Sequence, residues 1–390
     1  MQLAWQASPM RVYLDWASAA PPSTPALRVF RKAFLAFGNP GAPHTEGREA
    51  KKIVEDARTD IARLMEVKAD DIIFTSGATE ANAFALQGFL KGTGKPLKDL
   101  HVLYLPTAHS SSRKTLQKLK SQGLQTEPLP LSDGAIDLAT LPSLLTPSTC
   151  LVSVDVVCGE TGARYDVRGI RRALDAAGRS DVRIHADASQ LPLVEPITRA
   201  RLGADLITLD AQKVGGVRGV GLLVAPRYIP LSPIIEGGGQ ERGLRSGTEP
   251  SALIASFSAS LSHCAKGRAA FAKRVATLRS LLCSSIENIE QVVVNEGKQQ
   301  APHILNISLL GRDTDYLVAL LDEAGFAVST KSSCETNAEG SRVVLTMTGD
   351  SARANSTLRI SMGPTTSTKD VKRFTKALTK AVAFLDSYPD

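Results

Sequence analysis

Between residues 71 and 224 the sequence alternates short apolar runs with stretches of helical spacing, and this alternation constrains the fold more than any other feature. Positions 71–75, 101–105, 150–157, 182–185, 206–209 and 219–224 read as strands. Positions 50–65, 80–90 and 167–177 read as helices, and another begins near Ser110; in the first, Ile53, Ala57, Ile61 and Leu64 share one face. Such alternation predicts an α/β fold built on a large, doubly wound, mostly parallel sheet. In that architecture ligands gather where the chain leaves the carboxyl ends of the strands.

The chain has 390 residues, more than the roughly 250–300 that a single core usually serves. After Pro250 the pattern changes. A long helical region spans 251–288, with an interruption expected near Lys266-Gly267-Arg268. Strands at 291–295, 304–309, 327–330 and 357–361 and helices at 314–323 and 368–386 then read as an α+β domain. The expected division is a large domain over 19–255 and a smaller one over 1–18 and 256–390. No apolar run reaches the roughly 20 residues needed to cross a bilayer, so no membrane contact is expected. The first residues, Met1-Gln2-Leu3-Ala4-Trp5, lack a basic stretch followed by an apolar one, so cytoplasm is the expected compartment. Five cysteines without framework spacing argue against a disulfide scaffold. The net charge of +7 is dispersed, without an arginine-rich arm or zinc-finger spacing; direct nucleic-acid binding and a metal site are not expected.

Two strand ends carry the chemistry. One ends in His185-Ala186-Asp187-Ala188-Ser189-Gln190, and the next leads through Asp210-Ala211-Gln212 to Lys213 and Gly215. An acid and an amine at neighbouring strand ends suit pyridoxal phosphate: the lysine forms the Schiff base and the acid keeps the pyridine nitrogen protonated. Thr75-Ser76-Gly77-Ala78-Thr79 joins a strand to a helix start, where unpaired backbone N–H groups suit a phosphate; a plain helix cap is the alternative. His109 follows another strand end and could stack on the ring and move protons, or be structural. The glycine-rich loop 237–248 permits close backbone approach, with Arg245 and Thr248 as candidate anion ligands. Cys334 lies in a polar loop of small residues, where a thiol can act as a nucleophile. Cys150, Cys264 and Cys283 lie in apolar or amphipathic settings and read as core filler. Arg359 is a charge inside an apolar strand; capture of a substrate carboxylate and a buried salt bridge both account for it.

These residues, in this order, resemble the cysteine desulfurases of the NifS/IscS kind, within the class V aminotransferase group of pyridoxal phosphate enzymes. The resemblance runs from Tyr13-Leu14-Asp15 through Gly38-Asn39-Pro40, Phe74 to Glu80, His109, Glu160-Thr161-Gly162, Asp187, Gln190, Lys213, loop 237–248 and Cys334 to Arg359. It implies a type I pyridoxal phosphate fold, a homodimer, and conversion of L-cysteine to L-alanine. The sulfur would pass to a sulfur-acceptor protein, such as an iron–sulfur scaffold. It implies that Lys213 is the Schiff-base lysine, Asp187 the pyridinium partner, Gln190 the partner of the phenolic oxygen, and His109 the stacking ring. Ala78, Thr79 and Gln212 would surround the phosphate, with Thr248 reaching over from the other subunit. Arg359, Asn39 and Cys158 would stand at substrate positions, and Cys334 would carry the persulfide. Three departures stand out. Asp210-Ala211-Gln212 replaces a Ser-Gly-His triplet, Cys158-Gly159 replaces an asparagine pair, and Val214-Gly215-Gly216-Val217-Arg218-Gly219 replaces a Tyr-Gly-Pro-Lys-Gly run. A selenocysteine lyase or another class V lyase or aminotransferase is the neighbouring alternative. A non-catalytic paralogue acting as a scaffold or regulatory partner is the alternative of another kind.

Overall fold

The computed structural model describes residues 11–330 and 340–387. In chain order the strands are β1 (Val12–Tyr13), β2 (Ile72–Thr75), β3 (His101–Tyr104), β4 (Gln125–Pro128), β5 (Leu131–Ser132), β6 (Ala135–Ile136), β7 (Thr149–Asp155), β8 (Arg183–Asp187), β9 (Leu206–Asp210), β10 (Gly221–Val224), β11 (Val292–Val294), β12 (Ile304–Leu309), β13 (Phe326–Ala327) and β14 (Thr357–Ser361). They distribute over two compact units. The larger holds Ala20–Cys158 and Arg164–Arg268; the smaller holds the described parts of Met1–Ala19, Gly159–Ala163 and Ala269–Asp390.

The larger unit is built on a seven-stranded sheet in the order β2-β10-β9-β8-β7-β3-β4. Strands β4, β3, β7, β8 and β9 pair in parallel. Strand β10 alone runs antiparallel to both its neighbours. The reason is local: the short link from β9 to β10 holds only the 3-10 turn Ala211–Lys213, whereas a parallel return needs a crossover of a dozen residues or more. Ile73, Phe84, Leu86, Val102, Leu151 and Leu223 are buried together in the core of this unit. The helix after β2 is not uniform. It starts as Ala78–Ala83, widens into a π turn at Phe84–Gly88 and ends as Phe89–Gly92. A Cβ on Gly88 would lie 2.5 Å from the Phe84 ring, so the π turn brings that ring over a residue with no side chain.

Three expectations need correcting. The interruption near Gly267 is absent: Ser251–Ile286 is one unbroken helix of 36 residues. Gly267 is exposed and meets no neighbour, and one helical glycine costs only about 1 kcal/mol relative to alanine. The strand β4, which is polar in sequence, and the hairpin β5–β6, with two residues in each strand, carry no apolar alternation and were not expected. Two short helices, Arg342–Thr348 and Ser351–Asn355, were likewise not expected.

In the smaller unit β11, β12 and β14 form an antiparallel sheet, and β1 pairs in parallel with β13. Helix Thr368–Asp386 starts with a reciprocal cap: Asp370 N donates to Ser367 Oγ, and Ser367 N donates to the Asp370 carboxylate. Its Phe374 meets Phe326 of β13 edge to face, ring centres 5.6 Å apart.

Candidate active site

The segments that follow β2 and β3 and the carboxyl ends of β7 and β8 bring five polar residues into one chain of hydrogen bonds. Asp155 ends β7 directly opposite Asp187 on β8. Asp187 Oδ2 accepts from Asn82 Nδ2 at 2.7 Å, and its Oδ1 accepts from the Ser189 backbone at 3.0 Å. Asn82 Nδ2 also donates to Ser111 Oγ at 2.9 Å, and that oxygen lies 2.8 Å from His109 Nδ1. The Ser111 backbone N–H donates to the same ring nitrogen at 3.2 Å. Nδ1 is therefore the acceptor, and neutral His109 carries its proton on Nε2. The His109 backbone N–H is held by Asp155 Oδ2 at 2.9 Å, which fixes where the ring leaves the strand end. His109 and Asp187 were expected here. Asn82, Ser111 and Asp155 were not singled out, although Asp155, a carboxylate in an apolar run, could have been flagged by the logic that flagged Arg359.

A second cluster forms where β2 and β9 end. Gly77 turns the chain at φ +154°, a conformation that only glycine adopts easily. The next N–H, of Ala78, donates to Asp210 Oδ2 at 2.9 Å, and the N–H of Gln212 donates to Asp210 Oδ1 at 2.9 Å. Gly221 of β10 lies between, paired with Thr75 on one side and Asp210 on the other. A Cβ there would sit 2.6 Å from the Gly77 backbone, so the approach requires glycine. Burial pushes the Asp210 carboxyl up, and the two backbone N–H bonds oppose that shift. Lys213 closes the 3-10 turn after β9 and is half-buried, as are Gln212 and Gln190. Ala78 and Cys158 are buried, whereas Thr79, Thr248 and Asn39 are exposed. Asn39 Oδ1 accepts from the Gly41 backbone at 2.9 Å.

Arg245 corrects an expectation. It is not an open anion ligand but pairs with Glu80, Nε to Oε1 at 2.9 Å and Nη2 to Oε2 at 3.2 Å. Glu80 also accepts from the Ser76 backbone at 2.7 Å. In the smaller unit, Arg359 Nη2 donates to Asp15 Oδ1 at 2.8 Å and to Ser18 Oγ, while Nη1 donates to the Gly159 carbonyl at 3.0 Å. Its Nε is buried without a hydrogen-bond partner among the described residues. Cys334 lies outside the described residues. Burial pushes the thiols of Cys150 and Cys264 up to about 11, which disfavours a thiolate at either and agrees with core filler.

Pyridoxal phosphate fits the first cluster. Beside Asp187, Asn82 Oδ1 and Ser189 Oγ are buried with no hydrogen-bond partner among the described residues. Native proteins rarely leave such atoms unsatisfied, so a polar ligand seated against Asp187 accounts for both. The second cluster offers the helix-start N–H groups a phosphate uses, but Asp210 already accepts from them.

The sequence pattern of the family described as Aminotransferase class-V matches residues 12–374. Cysteine desulfurase IscS 1 of Archaeoglobus fulgidus is 31% identical over 379 residues, covering 96% of this chain and 98% of the relative. Cysteine desulfurase IscS of Buchnera aphidicola is 32% identical over 380 residues, covering 95% and 92%. Among solved structures, a NifS-like protein superposes with a TM-score of 0.89 at 28% identity, covering 96% of this chain and all of that one. A structure described as SspA in complex with cysteine gives 0.78 at 26% identity, covering 90% and 99%. The strand-end cluster and the type I fold thus coincide with full-length similarity, and the chain belongs to the class V aminotransferase family of pyridoxal phosphate enzymes, among its cysteine desulfurases.

Proposed function

We propose that this protein converts L-cysteine to L-alanine and transfers the sulfur through an enzyme persulfide to an acceptor. The observation that carries this reading is the linked set His109–Ser111–Asn82–Asp187 at the strand ends, with Lys213 just beyond the neighbouring strand β9. When bound, pyridoxal phosphate supplies an electron sink that makes the substrate Cα–H acidic. Asp187 would face its ring nitrogen, His109 its ring and Gln190 its phenolic oxygen. Ala78, Thr79 and Gln212 would surround its phosphate, and Lys213 would be its covalent anchor. The Lys213 amine would also accept the substrate Cα proton. Arg359 pairs with the substrate carboxylate, which must then compete with Asp15. Asn39 and Cys158 complete the substrate positions. The Cys334 thiolate attacks the substrate sulfur: an S–S bond forms, the Cβ–S bond breaks, and its electron pair stays with the carbon skeleton. That skeleton takes up two protons, one at Cβ and one returned to Cα by Lys213, and leaves as L-alanine, and a thiol on the acceptor removes the outer persulfide sulfur.

A homodimer, an iron–sulfur scaffold as acceptor, and a cytoplasmic setting belong to the same proposal. Phe34, Leu35 and Phe37 are 68%, 78% and 85% exposed beside one another, and apolar patches of this kind mark interaction surfaces. No described helix is long and apolar enough to cross a membrane. A second reading, a paralogue that holds little cofactor and acts as a scaffold or regulator, is favoured by Asp210 alone. The test is alanine and sulfide production from L-cysteine under reducing conditions, with a visible absorption spectrum of the purified protein. Lys213→Ala is expected to lose at least about 100-fold in kcat, within the range of lost acid–base catalysis. Cys334→Ala is expected to lose sulfide production with the spectrum kept. A colourless wild-type protein that yields no alanine would refute the reading. An active monomer by light scattering removes the dimer from it.

A further inference from the structure

We infer that Asp210 sets how tightly this chain holds the phosphate of its cofactor, and that seating the phosphate draws one proton onto the Asp210 carboxylate. The inference rests on the cofactor reading above and deepens it. Asp210 Oδ2 accepts from the Ala78 N–H and Oδ1 from the Gln212 N–H, both at 2.9 Å. A Cβ built on Gly77 would lie 3.4 Å from Oδ2, so the carboxylate lines the very turn a phosphate would enter. At this position the family resemblance implies a serine hydroxyl, a neutral donor. An ionised Asp210 has only lone pairs to offer, and it already engages the Ala78 and Gln212 N–H groups. A phosphate arriving there meets a like charge in a buried site, and protonation relieves it. The carboxylic acid then donates its O–H to a phosphate oxygen.

The surroundings favour that proton. Asp210 is 6% exposed. Burial pushes its carboxyl up and Asp187 on β8 adds to the rise, while the Ala78 and Gln212 N–H groups and Lys213 pull it down. On β10 the facing residue is Gly221, which has no side chain. On the helix beginning at Ala78 the nearest acid, Glu80, is engaged by Arg245 and by the Ser76 N–H. His185 on β8 is pushed down to about 4 by burial and is neutral in this range. The proton comes from solvent, so cofactor affinity falls as pH rises. The phosphate titrates as well, and Lys213 is electrostatically coupled to Asp210; pyridoxal, which meets Lys213 but carries no phosphate, separates that coupling from the effect on the phosphate.

The experiment measures pyridoxal phosphate binding to the stripped full-length protein, followed by visible absorption across the neutral pH range. Wild type is compared with Asp210→Asn, a neutral near-isostere that can donate, and with Asp210→Ser; circular dichroism verifies that each is folded. Both variants are expected to bind more tightly than wild type, with the gap widening by up to about tenfold per pH unit, the slope of one linked proton. Pyridoxal, which lacks the phosphate, is expected to show a clearly smaller gap. Equal affinities, a gap that ignores pH, or the same gap with pyridoxal each overturns the inference. Absence of pyridoxal phosphate binding by wild type and both variants overturns the cofactor reading itself, and the inference with it. Two substitutions keep the comparison intact if one of them fails to fold.

Discussion

Ser111 joins two groups that the chain keeps 27 residues apart in sequence, since its hydroxyl accepts from Asn82 and faces Nδ1 of His109. Removing it leaves a buried amide and a ring nitrogen each short of a partner, which costs about 1 kcal/mol in stability. It also removes one of the two groups that keep the proton off Nδ1, the Ser111 backbone N–H being the other. Ser111→Ala is therefore expected to lower kcat more than it raises KM, with Ser111→Thr restoring most of the loss. Steady-state kinetics on L-cysteine decides this, and unchanged kcat in the alanine variant would show that the hydroxyl does not position His109. At this scale the sequence was readable where chemistry stands out against its surroundings. Asp187, His109 and Lys213 are polar residues at the ends of apolar runs. Asn82 sits inside a helical stretch, and its bond to Asp187, 105 residues away, has no local trace.

The glycine-rich loop shows what an element adds. Glu241 and Arg242 both adopt left-handed backbone conformations, φ 46° and 63°, which non-glycine residues rarely do. The Glu241 carboxylate compensates by entering the core, where it accepts from Arg58 Nη2 at 2.7 Å, from Arg58 Nη1 at 2.9 Å and from the Phe74 backbone at 2.9 Å. Arg58 also lies 4.7 Å over the Phe74 ring and donates to the Ile72 carbonyl. This buried pair anchors one part of the loop, and Arg245 with Glu80 anchors another. Glu241→Ala would leave a buried guanidinium without its main partner, a loss of about 3–5 kcal/mol, and paired apolar replacement of Arg58 and Glu241 should recover much of it. Chemical denaturation measures both. If the single variant is as stable as wild type, the pair does not hold the loop. From sequence this segment reads as a glycine-rich loop with Arg245 and Thr248 for an anion, because nothing local says that Arg58 and Glu80 will claim its charges.

Two fully buried histidines make the stability of the molecule sensitive to acid. His185 lies in the larger unit between Ser153 Oγ at 2.9 Å and Thr208 Oγ1 at 3.1 Å. His303 lies in the smaller unit with no hydrogen-bond partner for either ring nitrogen among the described residues. Burial pushes each down to about 4 from an ordinary value near 6.5, and for His185 the charge of Asp187 opposes the shift. A base whose folded value is depressed contributes stability that is complete above its unfolded value and is lost as pH falls toward the folded one. Stability should therefore drop between about pH 6.5 and pH 4 by up to about 1.4 kcal/mol per pH unit for each histidine. His303→Leu, which removes one of these groups, should flatten the profile of denaturation midpoint against pH. An unaltered slope in that variant would exclude His303 from the acid response.

The sequence by itself determined the α/β alternation, the helices Thr314–Glu323 and Thr368–Asp386, the strands β12 and β14 and the family, because periodic burial and strand-end chemistry are written in consecutive residues. Tertiary structure decided the rest. It showed that the helix Ser251–Ile286 ignores its glycine, that polar residues 125–128 pair as an edge strand, and that Arg245 answers to Glu80. It also turned the Asp210 carboxylate onto the Ala78 N–H, 132 residues earlier in the chain. The physical reason is the same in each case: a side chain's partner is whatever folding brings within about 3 Å of it, and that distance is set by strand order and packing, which no local pattern encodes.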